Sequence, residues 1–497
     1  MVEVSKIVEQ NPWWKGKEFE FERYDEYLRA YENSAFKIKR VLPSFKPNNI
    51  YSISGPRQAG KTTLAKLLIR NLIKIEKEDP LAICYFSCDS LLSRSRKELR
   101  KVIDFFFEKL RRFEKGYILL DEVSYVQDWP FEVKSFVDEG KLKKIALFLT
   151  GSPLGVKEIE FLPGRHIEGN RYFLKPLSFR EFIKNLDDAS IDFLTLDQEV
   201  KRSIKLLKEK LNRNFLTLEE ELKDIEEKLN ALLPFKDTLD FLLNSFIRVG
   251  GFPKPIEDYV KNKKVEERSY ETVINVVMSD LLKRGKSEEV AKQIFNGVIK
   301  RLGSSYDFRT LVKDTVEGVS VNTIIDYLKI FEDSFLIKIL YSYDFERKRR
   351  RIKGNKKIYF VDPFIFYSIY SWLEGKNGFE VTEEILKHEE KISTILESIA
   401  FSSLSSIKEA PLINPSSNFL WFYYDKRGEI DFIFKRASDF LGVEVKYKPE
   451  VEEKIIKLNQ VKTYIILSKD SFKIKDNIII APASLFLALI EKSKHHL

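Results

Sequence analysis

The chain has 497 residues, 43% of them hydrophobic and 32% charged, with a formal net charge of +9. That length exceeds one ordinary core and implies about two to four domains. No apolar run is long enough to span a membrane and the acidic, aromatic N-terminus is not a signal peptide, so a cytoplasmic protein with no membrane partner is expected. Cysteine, methionine and glutamine are scarce while lysine, glutamate and isoleucine are abundant, a composition that suits a thermophile. The two cysteines, Cys84 and Cys88, have no further cysteine to complete a zinc site, and the four histidines are scattered, so packed thiols are expected.

Residues 48–190 alternate apolar runs with helical stretches, the pattern of an α/β unit with a parallel sheet. Asn49–Ser54 predicts a buried strand. Gly55-Pro56-Arg57-Gln58-Ala59-Gly60-Lys61-Thr62 comes next, and Thr63–Ile69 has helical period. Strand, glycine-rich turn and helix are the setting of the phosphate loop G-x-x-x-x-G-K-[ST]. The glycines let backbone N–H groups converge on phosphate oxygens at a helix N-terminus. Lys61 is a point charge for the β- and γ-phosphates, Thr62 can hold Mg²⁺, and Thr63 lies beside it. ATP and Mg²⁺ are therefore the expected cofactors.

Ala82–Phe86, Tyr117–Leu120 and Ile145–Leu149 predict further strands, continuous in apolar residues as strands buried on both faces are. The second ends in Asp121-Glu122. Asp121 is expected to emerge beside the phosphate loop and hold the metal's water shell, and Glu122 to polarise the attacking water. The third runs into Thr150-Gly151-Ser152. There Thr150 or Ser152, indistinguishable at this stage, can sense the γ-phosphate.

Between residues 196 and 233, Val200, Ile204, Leu207 and Leu211 form one helical stripe. Leu218, Leu222, Ile225, Leu229 and Leu232 form another, with Thr217 and Glu220 as a capping box. This predicts a charged helical hairpin, either an arm for a second copy or a protein partner, or a solvated extension. Gly250-Gly251-Phe252-Pro253 then forbids helix through a bend.

Residues 306–362 predict a winged helix. Phe308–Lys313 is its short helix and Ser320 caps a second one. That helix carries the stripe Val321, Ile324, Ile325, Leu328 and Phe331. Leu336–Tyr341 and Lys357–Val361 are the strands of the wing. Arg347, Lys348, Arg349, Arg350, Arg351 and Lys353 lie at its tip, with Lys356 and Lys357 beyond them, and DNA phosphates are the expected partner. The competing readings are a solvated hairpin and a wing that packs on the ATPase.

From about 363 the pattern changes again. Glu397 interrupts the apolar face of a helix. Phe419–Tyr424, Glu429–Phe434 and Leu441–Lys446 then predict successive strands. Asp431 on one strand and Glu444-x-Lys446 on the next suit a metal-dependent nuclease core. The two carboxylates can share a cation, with Glu397 completing the set. Lys446 repeats the direction of Glu444 and can orient water or stabilise phosphorane charge. Surface salt bridges are the plainer reading.

Together these motifs resemble archaeal and bacterial AAA+-type ATPases with a winged helix and a C-terminal PD-(D/E)XK nuclease-like domain. The resemblance runs through Asn11-Pro12-Trp13-Trp14, the phosphate loop, Leu120-Asp121-Glu122-Val123 with Asp128-Trp129, and Thr150-Gly151-Ser152. It continues in Leu162-Pro163-Gly164-Arg165, Pro176–Phe182, Gly250–Pro253 and the Asp431…Glu444-x-Lys446 group. It implies ATP hydrolysis, with Arg165 at the position of a finger or sensor arginine and Arg171 as its competitor. The implied division is an ATPase core over 1–190, a hairpin insertion over 191–235, a helical lid over 236–300, a winged helix over 301–362 and the nuclease-like domain over 363–497. The implied function is an ATPase acting on DNA with a metal-dependent nuclease. The alternative is an ATP-dependent regulatory switch whose last two domains only bind DNA or protein.

Overall fold

The computed structural model describes residues 4–16, 20–41, 44–151, 170–315, 319–408 and 419–492. The chain forms two compact units that divide between Lys175 and Pro176, short of the 190/191 boundary expected from the sequence.

The first unit is built on five parallel strands: β1 (Asn49–Ser54), β2 (Ile83–Ser87), β3 (Gly116–Asp121), β4 (Ile145–Gly151) and β5 (Arg171–Phe173). Their order in the sheet is β2-β3-β4-β1-β5. Alternate side chains divide between two cores, as strand geometry requires. Ile118, Leu120, Leu147 and Leu149 pack with the helices Arg96–Leu110 and Trp129–Asp138. Tyr117, Leu119, Ala146 and Phe148 face the other way, with Leu64, Leu68 and Leu72 of the helix Lys61–Lys74.

β2 lies at an edge, and edge strands present unpaired backbone groups. Here side chains of the Asn11-Pro12-Trp13-Trp14 segment meet them. Asn11 donates to the Tyr85 carbonyl at 2.8 Å and accepts from the Tyr85 amide at 2.7 Å. The indoles of Trp13 and Trp14 both donate to the Ile83 carbonyl, at 2.9 and 2.8 Å. The motif therefore seals a sheet edge. Cys84 and Cys88 are free thiols buried in the same unit.

The second unit opens with helices and closes with a mixed sheet. The expected 196–233 hairpin is present as Gln198–Leu211 and Leu222–Asn230. Its apolar stripes are not offered outward: Ile204, Leu207, Leu211, Ile225, Leu229 and Leu232 are all buried. They face the helices Phe179–Asn185, Lys236–Val249 and Ala483–Leu489 of the same unit. The apolar face of the expected arm is thus already covered. Its second helix begins at Leu222, not at Thr217, although the Glu220 carboxylate does accept the Thr217 amide at 3.2 Å.

Arg180 binds this assembly together. Its buried guanidinium donates to the carbonyls of Leu211 at 2.6 Å, Ala488 at 2.9 Å and Asn214 at 3.0 Å, and pairs with Glu491 at 2.6 Å. Two chain segments far apart in sequence, 211–214 and 488–491, end on one side chain, whose planar fork suits several acceptors at once.

Residues 236–300 are helical as expected, and Ser320 caps the helix Val321–Asp333 by accepting the Thr323 amide at 3.1 Å. Ile325, placed in that helix's apolar stripe by the sequence, is exposed, while Tyr327 and Ile330 are buried. The strands β6 (Ile337–Asp344) and β7 (Arg349–Phe360) form the expected hairpin. This hairpin is not separate from the C-terminal strands. With β8 (Leu420–Asp425), β9 (Gly428–Lys435), β10 (Phe440–Val445), β11 (Val461–Ser468), β12 (Lys473–Lys475) and β13 (Ile478–Pro482) it completes one sheet, ordered β12-β13-β11-β10-β9-β8-β6-β7. The break expected at 362/363 therefore falls inside a continuous sheet. The cause is aromatic packing. Tyr343 and Phe345 pack against Trp421, Tyr423 and Phe440 in tilted and edge-on contacts, with ring centroids 4.4–5.6 Å apart, so separating the hairpin would expose that surface.

The Gly250-Gly251 bend is imposed by close approach. A Cβ on Gly250, whose φ is +70°, would meet Asp362 Oδ1 at 2.0 Å. One on Gly251 would meet the Leu177 carbonyl oxygen at 2.1 Å. Instead, the Gly251 amide donates to Asp362 at 2.8 Å, and the Leu177 amide donates to the Gly251 carbonyl at 2.8 Å. Burial raises the Asp362 carboxyl to about 7 despite two backbone donors. We expect Gly251→Ala to lower the stability of the second unit by roughly 2–3 kcal/mol, because backbone cannot yield as a side-chain end can. Denaturant unfolding followed by tryptophan fluorescence measures this, and an unchanged midpoint would refute the close-approach reading.

Candidate functional sites

The phosphate loop joins β1 to the helix Lys61–Lys74. Gly60 takes φ +93° and Gln58 φ +63°, which curls the loop over the helix start. Gly55 is required for another reason: a Cβ there would lie 2.2 Å from the Leu174 carbonyl oxygen beside β5. Arg57 and Gln58 are exposed, Pro56 and Ala59 are buried, and Thr62 and Thr63 sit half-buried in the helix's first turn. Lys61 is buried. Its ammonium donates to the carbonyls of Gly55 at 3.2 Å and Pro56 at 3.1 Å and pairs with Glu122 at 3.5 Å. Burial lowers its pKa, with Glu122 and Asp121 opposing that shift.

Asp121 ends β3, and β4 runs between that strand and the loop strand β1. Thr150, opposite Ile53 of β1 and at the tip of that intervening strand, makes the connection. Its hydroxyl donates to Asp121 and accepts the Glu122 amide at 3.0 Å. Glu122 itself is left-handed, at φ +48°, a conformation that turns its side chain toward Lys61. Ser152 and Arg165 lie outside the described residues. Arg171 stands on β5 opposite Ser52.

Sequence reasoning missed what lies behind Asp121. The Tyr85 hydroxyl donates to Asp121 Oδ2 at 3.0 Å. Burial first, and then Asp121, push that phenol well above its ordinary pKa. Below the Tyr85 ring, 3.5 Å from its centre, lies the buried ammonium of Lys66, paired with Asp25 at 3.0 Å. A lysine inside the apolar run Leu64–Ile69 was the only signal in the sequence.

The second site is on the C-terminal sheet. Glu397 projects from the helix Glu389–Leu404, Glu429 and Asp431 from β9, and Glu444 from β10. The sequence brought Glu397, Asp431, Glu444 and Lys446 together, but it left out the residue at their centre. Lys357, from β7, is 1% exposed in its side chain and pairs with Glu397 at 2.8 Å, Glu429 at 2.6 Å and Asp431 at 2.7 Å. Tyr359 donates to Glu397 at 2.6 Å. Burial opposes the charged lysine, but the carboxylates outweigh it and hold its pKa well above the ordinary value. Burial, with Asp431 adding to it, raises Glu397 to about 7.

Asp431 Oδ2 accepts the Val445 amide at 2.8 Å. Lys446 does face the same way as Glu444, at 3.0 Å, and also donates to the Lys454 carbonyl at 2.6 Å. Burial raises the Glu444 carboxyl, and its Oε2 is buried without a hydrogen-bond partner. Among the described residues, no group of three or more His, Cys, Asp or Glu is arranged to hold a metal ion.

The basic run divides between two environments. Arg347, Lys348, Arg349 and Lys353 are exposed at and beyond the β6–β7 turn. Arg350 lies over the Tyr341 ring and Arg351 over that of Tyr424. Lys356 and Lys357, counted with them in the sequence, are buried. Among the described residues no helix is long and apolar enough to cross a membrane.

Residues 47–183 match the family model described as an AAA domain. With the strand order and the loop geometry, this makes the first unit a P-loop ATPase domain of AAA+ type. Residues 240–375 match a model described only as a domain of unknown function; that model runs through the β6–β7 hairpin into the helix after it. An uncharacterized protein of Methanocaldococcus jannaschii is 24% identical over 485 residues, covering 94% of this chain and 91% of the relative. A second from the same organism is 24% identical over 330 residues, covering 65% and 63%. Among solved structures, the Aeropyrum pernix ORC2 protein is similar at 12% identity and a TM-score of 0.32, covering 72% of this chain and 93% of its own.

Thr150 makes a sharp test of the Asp121 geometry. Thr150→Val keeps the branched shape but leaves a buried carboxylate without that donor. The expected loss is about 1–3 kcal/mol in the first unit's stability, read from denaturant unfolding. No loss would mean that the hydroxyl does not support Asp121.

Proposed function

We propose that this protein is an ATP-hydrolysing AAA+ protein that acts on DNA. The observation that carries the first half is the convergence of Lys61, Glu122, Thr150 and Asp121 on the mouth of the phosphate loop. Gly55–Thr63 would cradle the phosphates, with Lys61 against the β- and γ-oxygens. Thr62 and Asp121 would hold Mg²⁺, which neutralises charge on the phosphates when bound. Glu122 orients water, and Thr150 keeps Asp121 and the Glu122 backbone in register. Glu122 pairs with Lys61 at 3.5 Å, and with a phosphate at that ammonium its carboxylate would be free to turn toward water. Arg165 or Arg171 is proposed as the finger or sensor arginine.

DNA is proposed as the partner because the exposed basic turn at Arg347–Arg349 and Lys353 comes after the short helix Phe308–Val312 and the longer Val321–Asp333, the order of a winged helix. The nuclease-like reading of the C-terminal sheet rests on Asp431 of β9 and Glu444 of β10, with Lys446 just beyond it. Cleavage would need a cation shared by the carboxylates, and Lys357 already neutralises Asp431 and Glu397. That favours the regulatory alternative, in which ATP state controls engagement and this domain recognises without cutting.

Lys61→Ala should lower ATP turnover by about 10²–10³-fold or more, since a preorganised charge at the developing phosphate is lost. Glu122→Gln should retain nucleotide and turn over slowly. A coupled phosphate-release assay with a nucleotide-binding titration checks both, and normal turnover in Lys61→Ala would end the ATPase reading.

Neutralising Arg347, Arg349 and Arg350 should weaken duplex binding and lower the log–log salt slope by about one unit per lost phosphate contact. Fluorescence anisotropy over a salt series measures the slope. If the triple variant keeps the wild-type slope, the turn does not touch DNA.

A further inference from the structure

We infer that Lys357 is the built-in cation of the acidic site on the C-terminal sheet and takes the place a divalent metal ion would otherwise fill. This inference rests on the nuclease-like reading of Asp431 and Glu444. An ammonium has three N–H donors. Lys357 has three carboxylates within 2.6–2.8 Å, one each from Glu397, Glu429 and Asp431. Glu397 and Asp431 accept hydrogen bonds from it at 2.8 and 2.7 Å, Glu429 is a third ion-pair partner at 2.6 Å, and each partner is ionisable.

The approach is fixed by the sheet. Lys357 pairs in register with Leu340 of β6, deep in β7, and Tyr359 holds Glu397 from the same strand. Lys446, the other lysine of this site, does not share the role, because it is engaged by Glu444 and the Lys454 carbonyl. Glu397 is buried, and Asp431 and Glu429 are 15% and 28% exposed in their side chains, so three like charges this close and this shielded are unfavourable without a counter-charge. A cation is therefore a requirement of the fold here, and the chain supplies its own.

Two consequences distinguish this arrangement from a metal site. First, the wild-type domain folds without a divalent ion and takes none at Asp431. Second, removing the lysine leaves Glu397, Glu429 and Asp431 converging on an uncompensated space beside the buried, unpartnered Glu444 Oε2. That donor set consists of oxygens, which suits a hard divalent cation. Around Lys357 the carboxylates are not arranged to hold a metal ion; in Lys357→Ala they are free to close on one.

The test uses the full-length, nucleotide-free protein titrated with Mn²⁺, followed by electron paramagnetic resonance and by thermal unfolding. Lys357→Ala should bind one more Mn²⁺ per chain than wild type. It should melt below wild type without metal and recover with it, and Lys357→Ala with Asp431→Asn should lose both effects. If Lys357→Ala shows no cooperative melt at any Mn²⁺ concentration, Lys357→Gln, which keeps most of the volume without the charge, carries the same comparison. A wild-type protein that binds Mn²⁺ in a manner abolished by Asp431→Asn overturns the inference. Cutting of DNA by that metal-loaded wild type would leave the nuclease-like reading standing. A folded Lys357 variant that gains no Mn²⁺ also overturns the inference, and takes the nuclease-like reading with it.

Discussion

The carboxylate of Asp121 lies buried at the end of β3 and is held by two hydroxyls, those of Tyr85 and Thr150. A buried carboxylate must be satisfied or it destabilises the unit around it. Meeting that requirement organises much of the first unit. Thr150 can reach Asp121 only because β4 is inserted between β3 and the loop strand, and the same hydroxyl fixes the Glu122 amide. Tyr85 can reach it only because β2 is held in place, and β2 is an edge strand held by Asn11, Trp13 and Trp14. The Tyr85 ring covers Lys66, whose charge is balanced by Asp25. A chain of partners thus runs from the N-terminal segment to Asp121, each link forced by the burial of the one before.

The second unit meets a similar constraint differently. Its charged residues are gathered onto single side chains that bind distant parts of the chain. Arg180 does this for the helical hairpin and the Ala483–Leu489 helix, and Lys357 for the hairpin strand, the Glu389–Leu404 helix and β9. Neither cluster could form from local contacts, since the partners lie far apart in sequence. The aromatic packing of Tyr343 and Phe345 against Trp421 and Phe440 supplies the apolar counterpart. Together they explain why β6 and β7 belong to the C-terminal sheet.

Local order was legible in the sequence. The phosphate loop, the strands ending at Asp121 and Thr150, the Ser320 cap and the Glu444–Lys446 pair all depend on spacing along one element, which periodicity reports. Sheet order and domain division were not legible, because they depend on which elements pair. The hairpin at residues 337–360 has the same strand pattern whether it is a free wing or part of a larger sheet. The apolar stripes of the 196–233 hairpin likewise look the same whether they await a partner or already face Phe179–Asn185 and Lys236–Val249. Lys357 was hidden for a related reason. It comes after a run of basic residues and reads as one more of them, until the fold brings three carboxylates from other elements around it.

Lys61 and Lys357 show what burial of a lysine can mean. Both ammonium groups are removed from water, yet their surroundings shift them in opposite directions. Lys61 leans on two neutral backbone carbonyls and a carboxylate at 3.5 Å, and burial dominates its pKa. A phosphate oxygen brings a full negative charge where those carbonyls offer only dipoles, so a nucleotide can win this ammonium by charge alone. Lys357 has three carboxylates within 2.8 Å, and their attraction outweighs its burial. An incoming anion would have to displace partners of equal charge and leave them buried and unpaired. The same residue type is therefore open to an incoming anion in one unit and closed off by its carboxylates in the other, and the difference lies in the partners rather than in the lysine.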